Sequence, residues 1–200
     1  IKDGYKMLQY NYDNLQRSLI DVIKEEQAKL GYYREDIRLY YPLSSLNHFF
    51  GTNVGADEMQ CILDGKGKGE TDHDMIAGGM NEILSDKLGM VEVSHRGDRF
   101  CFHIPPEGVE YVHENTTENE FIRELVQLVA KHGCTIDQVY ELFQAHSDQV
   151  GREKMSNGEF DERIWFKNDV DDPYFYCFKQ EGEHMIYHRF LPEDYEDFEF

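Results

Sequence analysis

Residues 91–104 read VEVSHRGDRFCFHI, two alternating stretches around a Gly-Asp pair. Val91, Val93 and His95 alternate with Glu92 and Ser94. Phe100, Phe102 and Ile104 alternate with Cys101 and His103. Period two is the signature of a strand with one covered face. Gly97-Asp98 predicts a two-residue hairpin turn, with glycine supplying the positive φ that such turns need. The register follows: Arg96 opposite Arg99, Val93 opposite Phe102, and Glu92 opposite His103. One face is then apolar and the other polar, so the apolar face must be packed by the rest of the chain. The same residues spell Arg-Gly-Asp, which in an exported protein reads as an adhesion signal. Turn chemistry accounts for them here.

The segment before the hairpin reads as helices. MLQYNYDNLQRSLIDVIKEEQAKLG carries Leu8, Tyr12, Leu15, Leu19, Val22, Ile23 and Leu30 at three- and four-residue steps. That spacing predicts one long packing or dimerisation helix, stopped by Gly31. Ile37–Tyr41 suits a strand, with Pro42 opening a short helix that buries Leu43, Leu46, Phe49 and Phe50 and stops at Gly51. ADEMQCIL predicts a second helix, capped by Asp57, with Met59, Ile62 and Leu63 inward. DGKGKGETD is a glycine-rich loop. A third helix is expected from about His73 to Leu88, capped by Asp72 or Asp74 and weakened by Gly78 and Gly79.

Three helices and a hairpin closing on PPEG resemble the winged-helix fold over residues 37–114. There the third helix is the recognition helix and the hairpin is the wing. The ending PPEGVEYVHE is similar to the return segment that follows the wing in many bacterial regulators. The resemblance implies DNA binding, with wing contacts from Arg96 and Arg99. One departure is the long link DGKGKGETD between the second and third helices.

The second half predicts two helices. Thr117 with Glu120 and Thr135 with Gln138 each read as a capping box. Phe121, Leu125, Leu128 and Val129 face inward in the first. Ile136, Val139, Tyr140 and Phe143 do so in the second. A strand around EFDERIWFK follows, then FYCFKQEGEHMIYHRFLPED, a second hairpin ending on proline. The expected architecture is α+β: a long helix over 1–36, a winged-helix-like unit over 37–114, and an acidic α+β lobe over 115–200. That lobe reads either as a degenerate second winged-helix unit or as an unrelated one. Its hairpin is loaded with aromatics on both faces. Tyr174, Tyr176, Phe178 and Tyr187 are therefore candidates for partner binding.

Charge limits the partners. The chain holds 20 basic and 40 acidic residues, net −20, and 20 of the acids fall in 115–200. A polyanion repels nucleic acid and anionic membrane surfaces, whose binding needs Lys and Arg to displace counterions. The expected third helix offers only Lys87 and His73 against Asp74, Glu82 and Asp86. Cys61, Cys101, Cys134 and Cys177 follow no disulfide or CxxC spacing, which suits reduced thiols. No run of about 18 apolar residues suggests a membrane span, and no leader-like segment opens the chain. The expected place is the cytoplasm.

No catalytic residue, metal site or cofactor is assigned. DGKGKGETD fails the phosphate-loop pattern and places lysines where a calcium loop needs carboxylates. Asp72-His73-Asp74 fits a helix start. His184 and His188 share a strand face but have no evident third ligand. Glu92 opposite His103 reads as a cross-strand ion pair. KEEQAKLGYYREDIRLYYPLSSLNHFFG resembles a segment of an uncharacterised bacterial family, known only as a domain of unknown function, which implies no activity. The reading is a non-enzymatic interaction or regulatory protein with a protein partner or a second copy as ligand. The alternatives are a DNA-binding regulator and an enzyme without a recognisable motif.

Overall fold

The computed structural model describes residues 6–67, 74–156 and 158–197. The fold class is α+β, and the chain divides into two compact units, Ile1–Glu118 and Asn119–Phe200.

In the first unit, β1 (Lys6–Leu8) runs parallel to β3 (Asp74–Ile76). The long helix α1 spans Asp13–Leu30, so the expected start at Met7 is corrected. Asn11 Oδ1 accepts from Asp13 N at 2.8 Å, a local turn that competes with helix and marks the boundary. Tyr12, Leu15, Leu19 and Ile23 form the buried stripe. Gly31 ends the helix at φ 69°, its N–H donating to Gln27 O.

Next come β2 (Ile37–Pro42), α2 (Leu43–Phe50) and α3 (Ala56–Asp64). Gly55, not Asp57, is the N-cap of α3; Asp57 sits in its first turn. The loop residues 68–73, including Asp72 and His73, lie outside the described residues. The expected helix from His73 is corrected. Asp74–Ile76 is strand, and α4 is Met80–Leu88 with Gly79 as N-cap. Gly78 and Gly79 are therefore the break before the helix rather than weak points inside it. Their reason is a backbone crossing: a Cβ on Gly65 would lie 2.2 Å from Gly79 N. Tyr12 Oη donates to Ile62 O at 2.9 Å beside that crossing. Burial, with Glu82, Tyr10 and Asp64 nearby, raises its pKa further above the usual phenol range.

β4 (Glu92–Arg96) and β5 (Arg99–Ile104) form the expected hairpin in the expected register. Gly97 has φ 58°, and glycine is the residue with positive φ in this turn. β2 pairs antiparallel with the other side of β5, giving the order β2-β5-β4. Ile37, Leu39, Tyr41, Phe100, Phe102 and Ile104 share the buried face. Tyr41 Oη meets Ser18 Oγ of α1 at 2.9 Å, and its ring meets Phe49 of α2 edge-on. PPEGVEYVHEN is a helix, α5 (Pro106–Asn115), with Pro106 in its first turn. Gly108 lets α5 approach α4: a Cβ there would lie 2.3 Å from Leu88 O.

In the second unit, α6 (Glu120–Val129) is capped by Asn119, whose Oδ1 accepts from Ile122 N at 3.1 Å; Thr117 is not the cap. α7 (Ile136–His146) has both halves of the Thr135–Gln138 capping box. Four strands follow as an antiparallel meander: β6 (Val150–Lys154), β7 (Glu162–Phe166), β8 (Phe175–Glu181) and β9 (His184–Phe190). Phe121 and Phe143 from the helices meet Phe166 and Tyr176 from the sheet, mostly edge-on. On the opposite face Trp165 lies flat on Gly151, where a Cβ would fall 2.2 Å from the indole. The β8–β9 hairpin turns on Gly182 at φ 62° and leads into α8 (Pro192–Asp197), as β5 leads into α5. The likeness between halves stops there. In the first unit helices separate β2 from the hairpin it pairs with, whereas β6 to β9 pair in chain order.

Candidate functional site

The outer face of the β2-β5-β4 sheet is assembled by register. Its rows are Arg38–His103–Glu92, Tyr40–Cys101–Ser94 and Pro42–Arg99–Arg96. Arg38, Tyr40, Arg96 and Arg99 are exposed, Tyr40 at 54%, so this face is open. Arg99 lies over the Tyr40 ring, guanidinium carbon 4.3 Å from the centroid. Such a cation–π contact restrains the group while its N–H donors can still meet an anion. Leu43 N donates to Asp98 O at 2.8 Å, tying the hairpin tip to the start of α2.

Four arginines elsewhere sit beside carboxylates. Arg34 pairs with Glu110, Arg123 with Glu120, Arg152 with Asp137 and Glu162, and Arg163 with Glu153. Arg96 and Arg99 face each other across the hairpin with no carboxylate partner among the described residues. Like charges directly opposite on a sheet are destabilising.

The other end of the face is acidic. His103 Nε2 meets Asp36 Oδ2 at 2.5 Å, and Nδ1 lies 3.7 Å from Glu92 Oε2. The expected Glu92–His103 pair exists, but Asp36 is the nearer partner. The His103 hydrogen bond holds the Asp36 carboxyl below the usual carboxylate range, against a smaller opposing effect of desolvation. The two carboxylates lie on opposite ring nitrogens, a ligand-bridge geometry rather than a chelate. On the covered side, His95 bridges Gln60 of α3 at 3.0 Å and Asp57 at 3.2 Å, and stacks on Phe100. It straps α3 to β4.

The aromatic hairpin falls elsewhere. Tyr176 and Phe178 are fully buried and Tyr187 nearly so, under the rings of Phe121 and Phe143. They are core of the second unit rather than a contact surface, because α6 and α7 cover that face. Tyr174 lies under the Arg189 guanidinium at 4.3 Å. His184 and His188 are on the exposed face of β9, and His132 meets Glu183 at 2.5 Å. Among the described residues, no group of three or more His, Cys, Asp or Glu side chains could hold a metal ion. The four cysteines are free thiols. Burial pushes the Cys177 thiol up to about 12 and raises Cys134 as well.

Sequence reasoning singled out Arg96 and Arg99 but missed Arg38, Tyr40 and Asp36. The alternation of IRLYYP already places Arg38 and Tyr40 on one face; only the β2–β5 pairing shows which face it joins. No curated protein and no solved structure matches the chain. The family model described as "Domain of unknown function, E. rectale Gene description (DUF3877)" matches residues 12–199, and the chain belongs to that bacterial family.

Proposed function

We propose that this protein is a non-enzymatic, regulatory interaction protein that engages a protein partner through the outer face of the β2-β5-β4 sheet. The observation that carries the reading is that open face: Arg38, Tyr40, Arg96 and Arg99 exposed together in a chain of net charge −20. A cytoplasmic setting fits the four free thiols. No helix among the described residues is long and apolar enough to cross a membrane.

The second reading is a DNA-binding regulator. The order β2, α2, α3, β3, α4, β4, β5 favours it, since apart from the short β3 it resembles a winged helix, in which α4 would enter the groove. Against it, α4 carries Glu82 and Asp86 beside its one lysine, Lys87, and exposes Ile83 at 45%. Such a helix suits a protein surface better than a phosphate backbone.

A photo-crosslinking residue at Tyr40 or Ser94, with one at exposed Val170 as control, tests the choice in the producing cell. A discrete protein adduct from the sheet positions alone is expected. Nucleic-acid adducts, or no difference from Val170, would overturn the reading.

A further inference from the structure

We infer that the tip of the β4–β5 hairpin, Arg96 and Arg99 with Tyr40, docks a carboxylate-rich peptide segment of the partner protein. The inference rests on the interaction reading above and names the chemistry of its ligand.

Three observations converge on it. The first is the opposed arginine pair. Acids outnumber bases two to one in this chain, and Arg34, Arg123, Arg152 and Arg163 each have a carboxylate within 4.0 Å. Arg96 and Arg99 instead face one another. Asp98, between them in the turn, makes no ion pair with either among the described residues. A pairing rule is broken here with no carboxylate to offset the like charges, which is where function is expected.

The second is preorganisation. The turn is fixed by Gly97 and by the Leu43–Asp98 hydrogen bond, and Arg99 is laid on Tyr40. A ligand carboxylate meets the Arg99 fork with its freedom already reduced, and Arg96 opposite it on a fixed turn. Arginine clusters are a recurrent means of recognising acidic motifs.

The third is extent. The positive ground is bounded: Asp36 and Glu92 flank His103 at the far end of the same face. A duplex needs a longer run of phosphate contacts and meets that acidic end, whereas a short acidic segment can lie across Ser94 and Cys101 at the tip.

The test uses fluorescence anisotropy on the full chain. The probes are a labelled peptide of alternating glutamate and serine, its lysine–serine counterpart, and a labelled mixed-sequence duplex. Variants are Arg96→Gln, Arg99→Gln, the double, and Arg17→Gln on α1 as an off-face control. Saturable, salt-sensitive binding of the acidic peptide is expected, weakened about tenfold by each tip substitution and unchanged by Arg17→Gln. The basic peptide and the duplex should bind more weakly. Relief of repulsion offsets loss of the Arg99–Tyr40 contact, so the tip variants should melt close to the parent, and weakening is not misfolding. Absence of acidic-peptide binding, equal binding by the double variant, or preference for the duplex would overturn the inference. If crosslinks from Tyr40 persist while the peptide fails to bind, the interaction reading stands and only the ligand chemistry is wrong.

Discussion

Substituting Gly108 by alanine sets two effects of known size against each other. Gly108 lies in the first turn of α5, so alanine gains up to about 1 kcal/mol of helix propensity. Its new methyl would lie 2.3 Å from Leu88 O, 2.9 Å from Leu88 C and 2.9 Å from Ile104 Cγ2. Two of these atoms are backbone at the end of α4 and cannot rotate away. The helices must separate by about 1 Å to restore normal contact. Overpacking on this scale costs about 3 kcal/mol, the upper end of its usual range. The net is a loss of about 2 kcal/mol, or roughly 4–8 °C in melting temperature for a chain of this length. Thermal melts followed by far-UV circular dichroism measure it. Gly133→Ala is the comparison: Gly133 has φ 80° and nothing within 4 Å, so alanine there should cost only about 1 kcal/mol of stability through backbone strain. A Gly108→Ala protein that melts at or above the parent would refute close α4–α5 contact as the reason for this glycine.

Phe143→Ala removes a fully buried ring that meets Phe121, Phe166 and Tyr176; a loss of about 3–5 kcal/mol in urea unfolding is expected, and under 1 would place the core elsewhere. A thiol-specific reagent should label half-exposed Cys61 and Cys101 in the native protein and reach Cys134 and Cys177 only on unfolding; rapid labelling of all four would contradict the burial. Asp36 has a folded pKa below its unfolded one, so its ionised form stabilises the fold above the unfolded value, and that contribution fades as pH falls through the lower folded value. His103→Val should raise the Asp36 midpoint in carboxyl NMR titration towards the ordinary range; an unmoved midpoint would remove His103 as the cause.

Features set by short-range chemistry were legible in the residues. VEVSHRGDRFCFHI holds its alternation and its turn glycine within a few positions, so even the pairing Arg96–Arg99 could be read. Thr135 and Gln138 likewise state their own cap. What was misread depends on distant partners. Met7 and Leu8 continue a helical pattern, yet they pair with Met75 and Ile76, far along the chain, in a strand too short to show a period. Gly78 and Gly79 looked like defects in a helix because the backbone they cross, at Gly65, is invisible locally. PPEGVEYVHEN was read as a return segment, although Pro106 and the three-residue step from Val109 to Val112 are helix signals. At the candidate site, Arg96 and Arg99 were legible from the hairpin alone. Arg38 and Tyr40 join them only once β2 pairs with β5. The aromatics at 174–187 are ambiguous in sequence because alternation fails when both faces are apolar; α6 and α7 decide which face is core.

Trp165 on Gly151 has a spectroscopic consequence. It is the chain's single tryptophan, and it lies within the β6-to-β9 sheet, under the Arg163 guanidinium at 4.8 Å and edge-on to Phe175. Excitation at the red edge of the aromatic band therefore interrogates the second unit alone, while tyrosines dominate the ultraviolet signal of the first. The molecule carries a built-in optical label that separates the melting of its two halves, with no dye and no mutation.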